Sequence, residues 1–241
     1  MVVDQSKDQL LVYDTADWKL KREMSVPGLK SSALNDLAFS TNHRCLYLGD
    51  HIGKCIHRIR LPSTMSKWPI TDHPYGVSVS QNNNVLVTCR QVRKLLEYTG
   101  DGELLREISL ALKSPCHSVQ LSADMFLVVY GYHGDPARGV VVVDATGRVQ
   151  HRTRYGDNGL NFPSHCAVTN NGCVYVVDVS NQRVILMSPD LQYVRDVVSR
   201  GRDNLTWWPV RICLDPTSKH LYVVDSDTRS GRVVVCDTCD H

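Results

Sequence analysis

The chain has 241 residues, 42% of them hydrophobic, with 27 basic and 25 acidic side chains and a formal net charge of +2. A chain of this length buries a full core as one unit. Its charge balance excludes a general polyanion-binding surface and leaves room only for a local patch.

In chain order, residues 1 to 26 read as three strands, Val2-Val3-Asp4, Leu10 to Tyr13 and Leu20 to Val26. From there alternating apolar positions mark a recurring inner strand, at Leu37 and Phe39, Val77 and Val79, Val119 and Leu121, Cys166 and Val168, and Ile212 and Leu214. Each is followed by a turn and a second strand: Cys45 to Leu48, Val85 to Thr88, Phe126 to Tyr130, Cys173 to Val177, and Leu221 to Val224. The turns, such as Gln81-Asn82-Asn83-Asn84 and Asn170-Asn171-Gly172, carry hairpin chemistry. Third strands follow at Leu95 to Tyr98, Val140 to Val143 and Val184 to Met187. Amphipathic fourth strands follow at Leu104 to Ile108 and Tyr193 to Val197.

One phrase recurs through these units: an apolar run ending in Asp, a short polar loop with Lys or Arg, then another apolar strand. Asp50 precedes Lys54, Asp178 precedes Arg183, and Asp225 precedes Arg232. Four short strands repeating every 40 to 47 residues or so define a β-propeller array. The expectation is an all-β fold of four-stranded blades, a single domain over residues 1–241. Six blades are expected, the first lacking its inner strand and the last its fourth. Five blades, with the two ends sharing one, is the alternative. The missing inner strand is compatible with a fragment of a longer chain.

The nine cysteines mostly lie inside apolar strand runs, where a free thiol behaves as a small hydrophobe. Only Cys236 and Cys239 form a CxxC, with no second pair at zinc-ribbon spacing. The reading is a reducing, cytoplasmic compartment. No apolar run is long enough to span a membrane, and Met1 opens into Val2-Val3-Asp4 without a leader, so no membrane association is expected.

The unit from Phe162 to Met187 carries a family pattern. Asn171-Gly172-Cys173-Val174-Tyr175-Val176-Val177-Asp178 and Asn181-Gln182-Arg183-Val184 resemble the NHL repeat's run of Gly, strand, Asp, then Asn-x-Arg and strand. The chain is similar over essentially its whole length to the propeller domain of tripartite-motif/NHL proteins. Other units keep only the Asp and the base, and Arg90 stands where one expected Asp would be. The resemblance implies one of three roles: recognition of single-stranded RNA or protein, adhesion, or the chemistry of metal-dependent amidating lyases. In those lyases, His residues opening several inner strands converge on a zinc. The matching positions here are Asn35, Tyr75, His117, Ser164 and Val210, of which only His117 is a histidine; His165 lies one place later and by strand alternation points elsewhere. One in-register His does not make a zinc site.

No hydrolase or nucleotide-binding motif is present. A lactonase-type calcium cage would find Asn35 and Asp36 but too few further oxygen ligands. No catalytic residue, metal or cofactor is therefore expected, with a metal-dependent propeller enzyme as the alternative. The Asp50/Lys54, Asp178/Arg183 and Asp225/Arg232 pairs read as structural braces, the favoured explanation for charges repeated at a constant place.

One loop face gathers the loops between second and third strands with those leading into the inner strands. Positive charge leads there, and Arg90, Arg93, Lys94 and Arg138, with Tyr75, Tyr132, His117, His165 and Arg211, are the candidate ligand-binding set. Lys30, Tyr155, Asp157, Trp207, Trp208 and Arg229 belong to the same face, with the tryptophans read mainly as packing. The function expected is a non-enzymatic scaffold that binds a protein or single-stranded RNA.

Overall fold

The computed structural model describes residues 2–4, 9–14, 17–25, 33–60, 64–153, 159–203, 205–215, 217–227 and 231–238. Lys30, Tyr155, Asp157, Arg229 and Cys239 lie outside them, and with Cys239 the proposed CxxC pair.

Every sheet is an antiparallel meander. Strands β1 (Val2–Asp4), β2 (Gln9–Tyr13) and β3 (Leu20–Ser25) form an N-terminal three-stranded sheet. Blade I comprises β4 (Leu34–Ser40), β5 (Cys45–Asp50), β6 (Cys55–Arg60) and β7 (Thr64–Pro69). Blade II comprises β8 (Pro74–Val79), β9 (Val85–Cys89), β10 (Lys94–Tyr98) and β11 (Leu104–Ser109). Blade III is β12 (Pro115–Ser122), β13 (Met125–Tyr130), β14 (Gly139–Asp144) and β15 (Val149–Arg152). Blade IV is β16 (Pro163–Val168), β17 (Val174–Asp178), β18 (Arg183–Met187) and β19 (Tyr193–Ser199). Blade V has three strands, β20 (Trp208–Asp215), β21 (His220–Ser226) and β22 (Gly231–Asp237).

The second strands of blades I, II and IV and the third strand of blade IV are buried along their whole length, whereas the fourth strands of blades I and II are largely exposed. The cause is the stacking of blades: a middle strand faces a neighbouring sheet on both sides, so alternation sends successive residues into two different cores. In β17, Val174 and Val176 pack with Leu127, Val129, Val140 and Val142 of blade III, while Tyr175 and Val177 pack with Ile212, Leu221 and Val223 of blade V. These β-branched runs suit strands buried on both faces. Trp68, 8% exposed, fills the space between blades I and II beside Tyr47 and Tyr98, as packing would have it, whereas Trp208 is 42% exposed.

The six-blade expectation is corrected to five. Five sheets supply an inner strand, and β4, β8, β12, β16 and β20 pack successively against one another. The N-terminal sheet supplies none. Leu10 and Met24 pack on Leu34, Leu46, Leu48 and Ile59 of blade I, and Trp18 meets Tyr222 of blade V edge-on, so this sheet lies across the seam between first and last blades.

Candidate functional site

The inner strands share one irregularity. Each carries a bulge near its start, between Leu34 and Asp36, Pro74 and Gly76, Pro115 and His117, Pro163 and His165, and Pro209 and Arg211. An extra residue on one strand resets its alternation and re-aims the next side chain. The five residues after the bulges, Asp36, Gly76, His117, His165 and Arg211, therefore hold equivalent places. Four of them meet. Arg211 Nε donates to Asp36 Oδ1 at 3.1 Å, and its Nη2 donates to Asn35 O. Asp36 Oδ2 lies 3.5 Å from His165 Nε2 and 3.7 Å from His117 Nε2, and accepts the Val77 N–H at 3.0 Å. The two imidazoles stack with centroids 3.7 Å apart.

Gly76 completes the ring by absence. A Cβ there would lie 2.4 Å from Cys116 O and 2.9 Å from His117 Cα, so β8 approaches β12 more closely than any side chain permits. The sequence reading of His165 is corrected here: His117 and His165 are in register, and His117 corresponds to His165 rather than to Ser164. Counting back from the apolar positions Val119 and Cys166 misses this because the two are not equivalent: Val119 holds the place of Ala167, and Cys166 that of Ser118.

Burial by itself would raise the Asp36 pKa, but His165, Arg211 and His117 outweigh it and hold the carboxyl well below its usual range. His117 moves down to about 3, through burial first and then the positive field of His165 and Arg211 against the pull of Asp36. At neutral pH it is uncharged. Its Nδ1 stands 3.4 Å from Cys166 Sγ, whose thiol is pushed far up by burial, and Cys116 is pushed to about 11 for the same reason. A buried, un-ionised Cys166 is no nucleophile.

The ligand atoms of Asp36, His117 and His165 lie within 4.8 Å of one another. The zinc that the lyase resemblance implies nonetheless fits them poorly. Arg211 already neutralises the carboxylate that a second cation would need, and Gly76 and Arg211 supply no ligand at the two remaining ring positions.

Beside this axis, on the face where the inner strands begin, opens a cleft of about 610 Å³ lined by Asn35, His51, His73, Tyr75, Arg90, Gln91, Arg93, Lys113 and Asp135, among others. Arg90 stands at the end of the second strand of blade II. The register sets Cys89 opposite Pro74, where blades I, IV and V carry Asp opposite Leu34, Pro163 and Pro209, so the Asp position of blade II is Cys89 and not Arg90. One place beyond it, the Arg90 guanidinium lies over three rings: Tyr75 at 4.8 Å, Tyr132 at 5.0 Å and Phe162 at 6.0 Å. Tyr132 is 52% exposed and packs edge-on against Phe162. Among the described residues Arg90 forms no ion pair with a carboxylate.

The remaining predicted residues fall elsewhere. Arg93 lines the cleft in the left-handed conformation that closes the β9–β10 turn, but Lys94 pairs with Glu107. Arg138 is held by the carbonyls of Leu160 and Asp135. Asp178 accepts the backbone N–H groups of Asn161 and Phe162, the Asn181 amide, and Arg183 Nε at 3.1 Å. Asp225 likewise takes the N–H groups of Thr206 and Trp207 and Arg232 Nε at 2.9 Å. In both blades the carboxylate ties the loop before the inner strand to the third strand. Asp50 differs, because its side-chain partner is His57 at 3.2 Å and not Lys54. His51 and His73, which the sequence leaves outside the candidate set as hydrogen-bonded residues, border the cleft and donate to the carbonyls of Ala33 and His51; only contacts between blades group them.

No protein-family profile and no curated protein matches the chain, so the NHL pattern has no family match behind it. Solved structures do match. A protein of unknown function from Bacteroides caccae aligns at TM-score 0.72 and 12% identity over 94% of this chain and 82% of that one. Virginiamycin B lyase from Staphylococcus aureus aligns at TM-score 0.65 and 12% identity, over 95% and 78%. The RRP9 WD40 repeats align at TM-score 0.63 and 12% identity, over 90% and 80%. At these identities the likeness is one of fold, and the fold is a β-propeller with four-stranded blades. Among the described residues no helix is long and apolar enough to cross a membrane.

Proposed function

We propose that the chain is a non-enzymatic recognition module that binds an acidic protein segment or a single-stranded RNA at the Arg90 cleft. The observation that carries the reading is the guanidinium of Arg90, set over Tyr75, Tyr132 and Phe162 with no carboxylate partner among the described residues. Flat ring faces pre-orient a guanidinium and leave its N–H edge for an anion. Arg93, Lys113, His51 and His73 line the same cleft, against one carboxylate, Asp135. A phosphate or carboxylate entering there meets a mostly basic wall, and the exposed Tyr132 ring offers a base or a side chain a surface to stack on.

The fold neighbours include a lyase and WD40 repeats, so fold likeness favours neither class and the argument rests on the residues. The enzyme alternative would place its chemistry at Asp36, His117 and His165. Their burial and the Arg211 contact speak for a structural ring instead. The eight described cysteines are all free, which agrees with a reducing and, in our reading, cytoplasmic setting.

The test is selection from a random single-stranded RNA pool at low and at physiological salt. Sequence enrichment that survives physiological salt supports RNA as the partner. Binding that vanishes with salt leaves bare charge attraction and turns the search to acidic protein segments.

A further inference from the structure

Blade I departs from the brace used in blades IV and V. Asp178 faces Arg183 across the second and third strands, and Asp225 faces Arg232. In blade I the residue facing Asp50 is Cys55, and His57 follows two places on, on the same side of β6. The residues at the place of His57 in the other blades are Leu96, Val141, Ile185 and Val234. One blade has thus exchanged a permanent cation and an aliphatic residue for a thiol and an imidazole around the same buried carboxylate.

The three groups converge. His57 Nε2 lies 3.2 Å from Asp50 Oδ2 and 3.5 Å from Cys55 Sγ, and Cys55 Sγ lies 3.9 Å from Asp50 Oδ2. Zinc bonds to sulfur, nitrogen and oxygen at tetrahedral angles set such atoms about 3.3–3.6 Å apart. All three side chains are buried. Above them passes the turn of residues 51–54, mostly exposed. Gly53 donates its N–H to Asp50 Oδ1 at 2.6 Å, and a Cβ on it would fall 2.5 Å from Asp50 Oδ2. Only glycine lets the turn come this close to the carboxylate without a side chain striking it.

We propose that Asp50, Cys55 and His57 form a binding site for a divalent zinc-class metal ion, with one carboxylate, one thiolate and one imidazole as ligands and a water in the fourth position. The ion supplies the positive charge that Arg183 and Arg232 supply in their blades. Without it, burial and then the Asp50 carboxylate raise the Cys55 pKa and keep the thiol protonated. Binding forms the metal–sulfur bond and releases that proton to solvent. Thiolate, imidazole and carboxylate together favour zinc or cobalt over magnesium or calcium.

The test is titration of metal-stripped protein with Co(II), followed by absorption spectroscopy and by melting with added Zn(II). The expected result is one equivalent with a thiolate-to-cobalt charge-transfer band and tetrahedral visible bands, displaced by Zn(II), and a higher Tm with zinc. Cys55→Ser removes the charge-transfer band, and His57→Gln weakens Co(II) binding at least about ten-fold. Cys236→Ser leaves both readouts intact. No thiolate band in the wild-type protein overturns the site whether or not any variant folds. So does a band that survives Cys55→Ser, or one that Cys236→Ser abolishes.

Discussion

Arg211 of the last inner strand donates its Nε to Asp36 Oδ1 of the first at 3.1 Å, across 175 positions of sequence. The ring is joined at that point by a charge pair, and Asp36 is almost wholly buried. Removing one partner of a buried pair strands the other charge, at a cost of roughly 3–5 kcal/mol. Arg211→Met is expected to lower stability to urea by about that amount, and the double variant Asp36→Asn/Arg211→Met to recover part of it. A full-strength Arg211→Met protein would remove the pair from the closure of the ring.

The same cluster predicts a pH dependence. Unfolded, His117 takes up a proton near its ordinary pKa of 6.5, whereas folded it does so only near 3. Between those values the unfolded chain binds more protons, so stability falls as pH drops through that window. Asp36 acts in the same sense from its ordinary 3.8 downward, because its folded pKa is lowered. His117→Gln should flatten the decline of Tm between pH 6.5 and 4, removing a slope of at most about 1.4 kcal/mol per pH unit. An unchanged slope would assign the acid sensitivity to other groups.

Asp178 tests the brace. Its carboxylate accepts four hydrogen bonds and neutralises Arg183, itself buried. Asp178→Ala is expected to cost roughly 3–5 kcal/mol, read by urea unfolding, with partner affinity retained in the folded fraction. A stable Asp178→Ala protein that loses its partner would make the residue part of the recognition surface.

The strands were legible because blades are built from local signals. The third strand expected at Leu95 to Tyr98 is found at Lys94–Tyr98, and the fourth expected at Tyr193 to Val197 at Tyr193–Ser199. Alternation and turn chemistry act over a few residues, and both are visible in one sequence. The axis was not legible. Val119 and Cys166 are both apolar but hold places one apart, which puts His165 on the wrong side, and the bulges that bring Asp36, His117, His165 and Arg211 to equivalent places leave no mark in the sequence. The blade count failed because the N-terminal strands read as a blade in sequence but bring no strand to the axis. Of the candidate binding set, Tyr75, Arg90, Arg93 and Tyr132 come together. Lys94 does not, because the β10–β11 register pairs it with Ser109 and brings Glu107, opposite Leu96, diagonally within reach to take it up.

The central claim is most directly tested by comparing wild-type, Arg90→Glu and Lys94→Glu proteins for binding to a single-stranded RNA pool and to a polyglutamate peptide at physiological salt. The account predicts that wild-type protein binds one of the two. Arg90→Glu should weaken that binding at least about ten-fold, or 1.4 kcal/mol, with its unfolding transition unchanged, and Lys94→Glu should stay within about two-fold. Wild-type protein that binds neither, or equal affinity in folded Arg90→Glu, would contradict an anion-recognising cleft at Arg90.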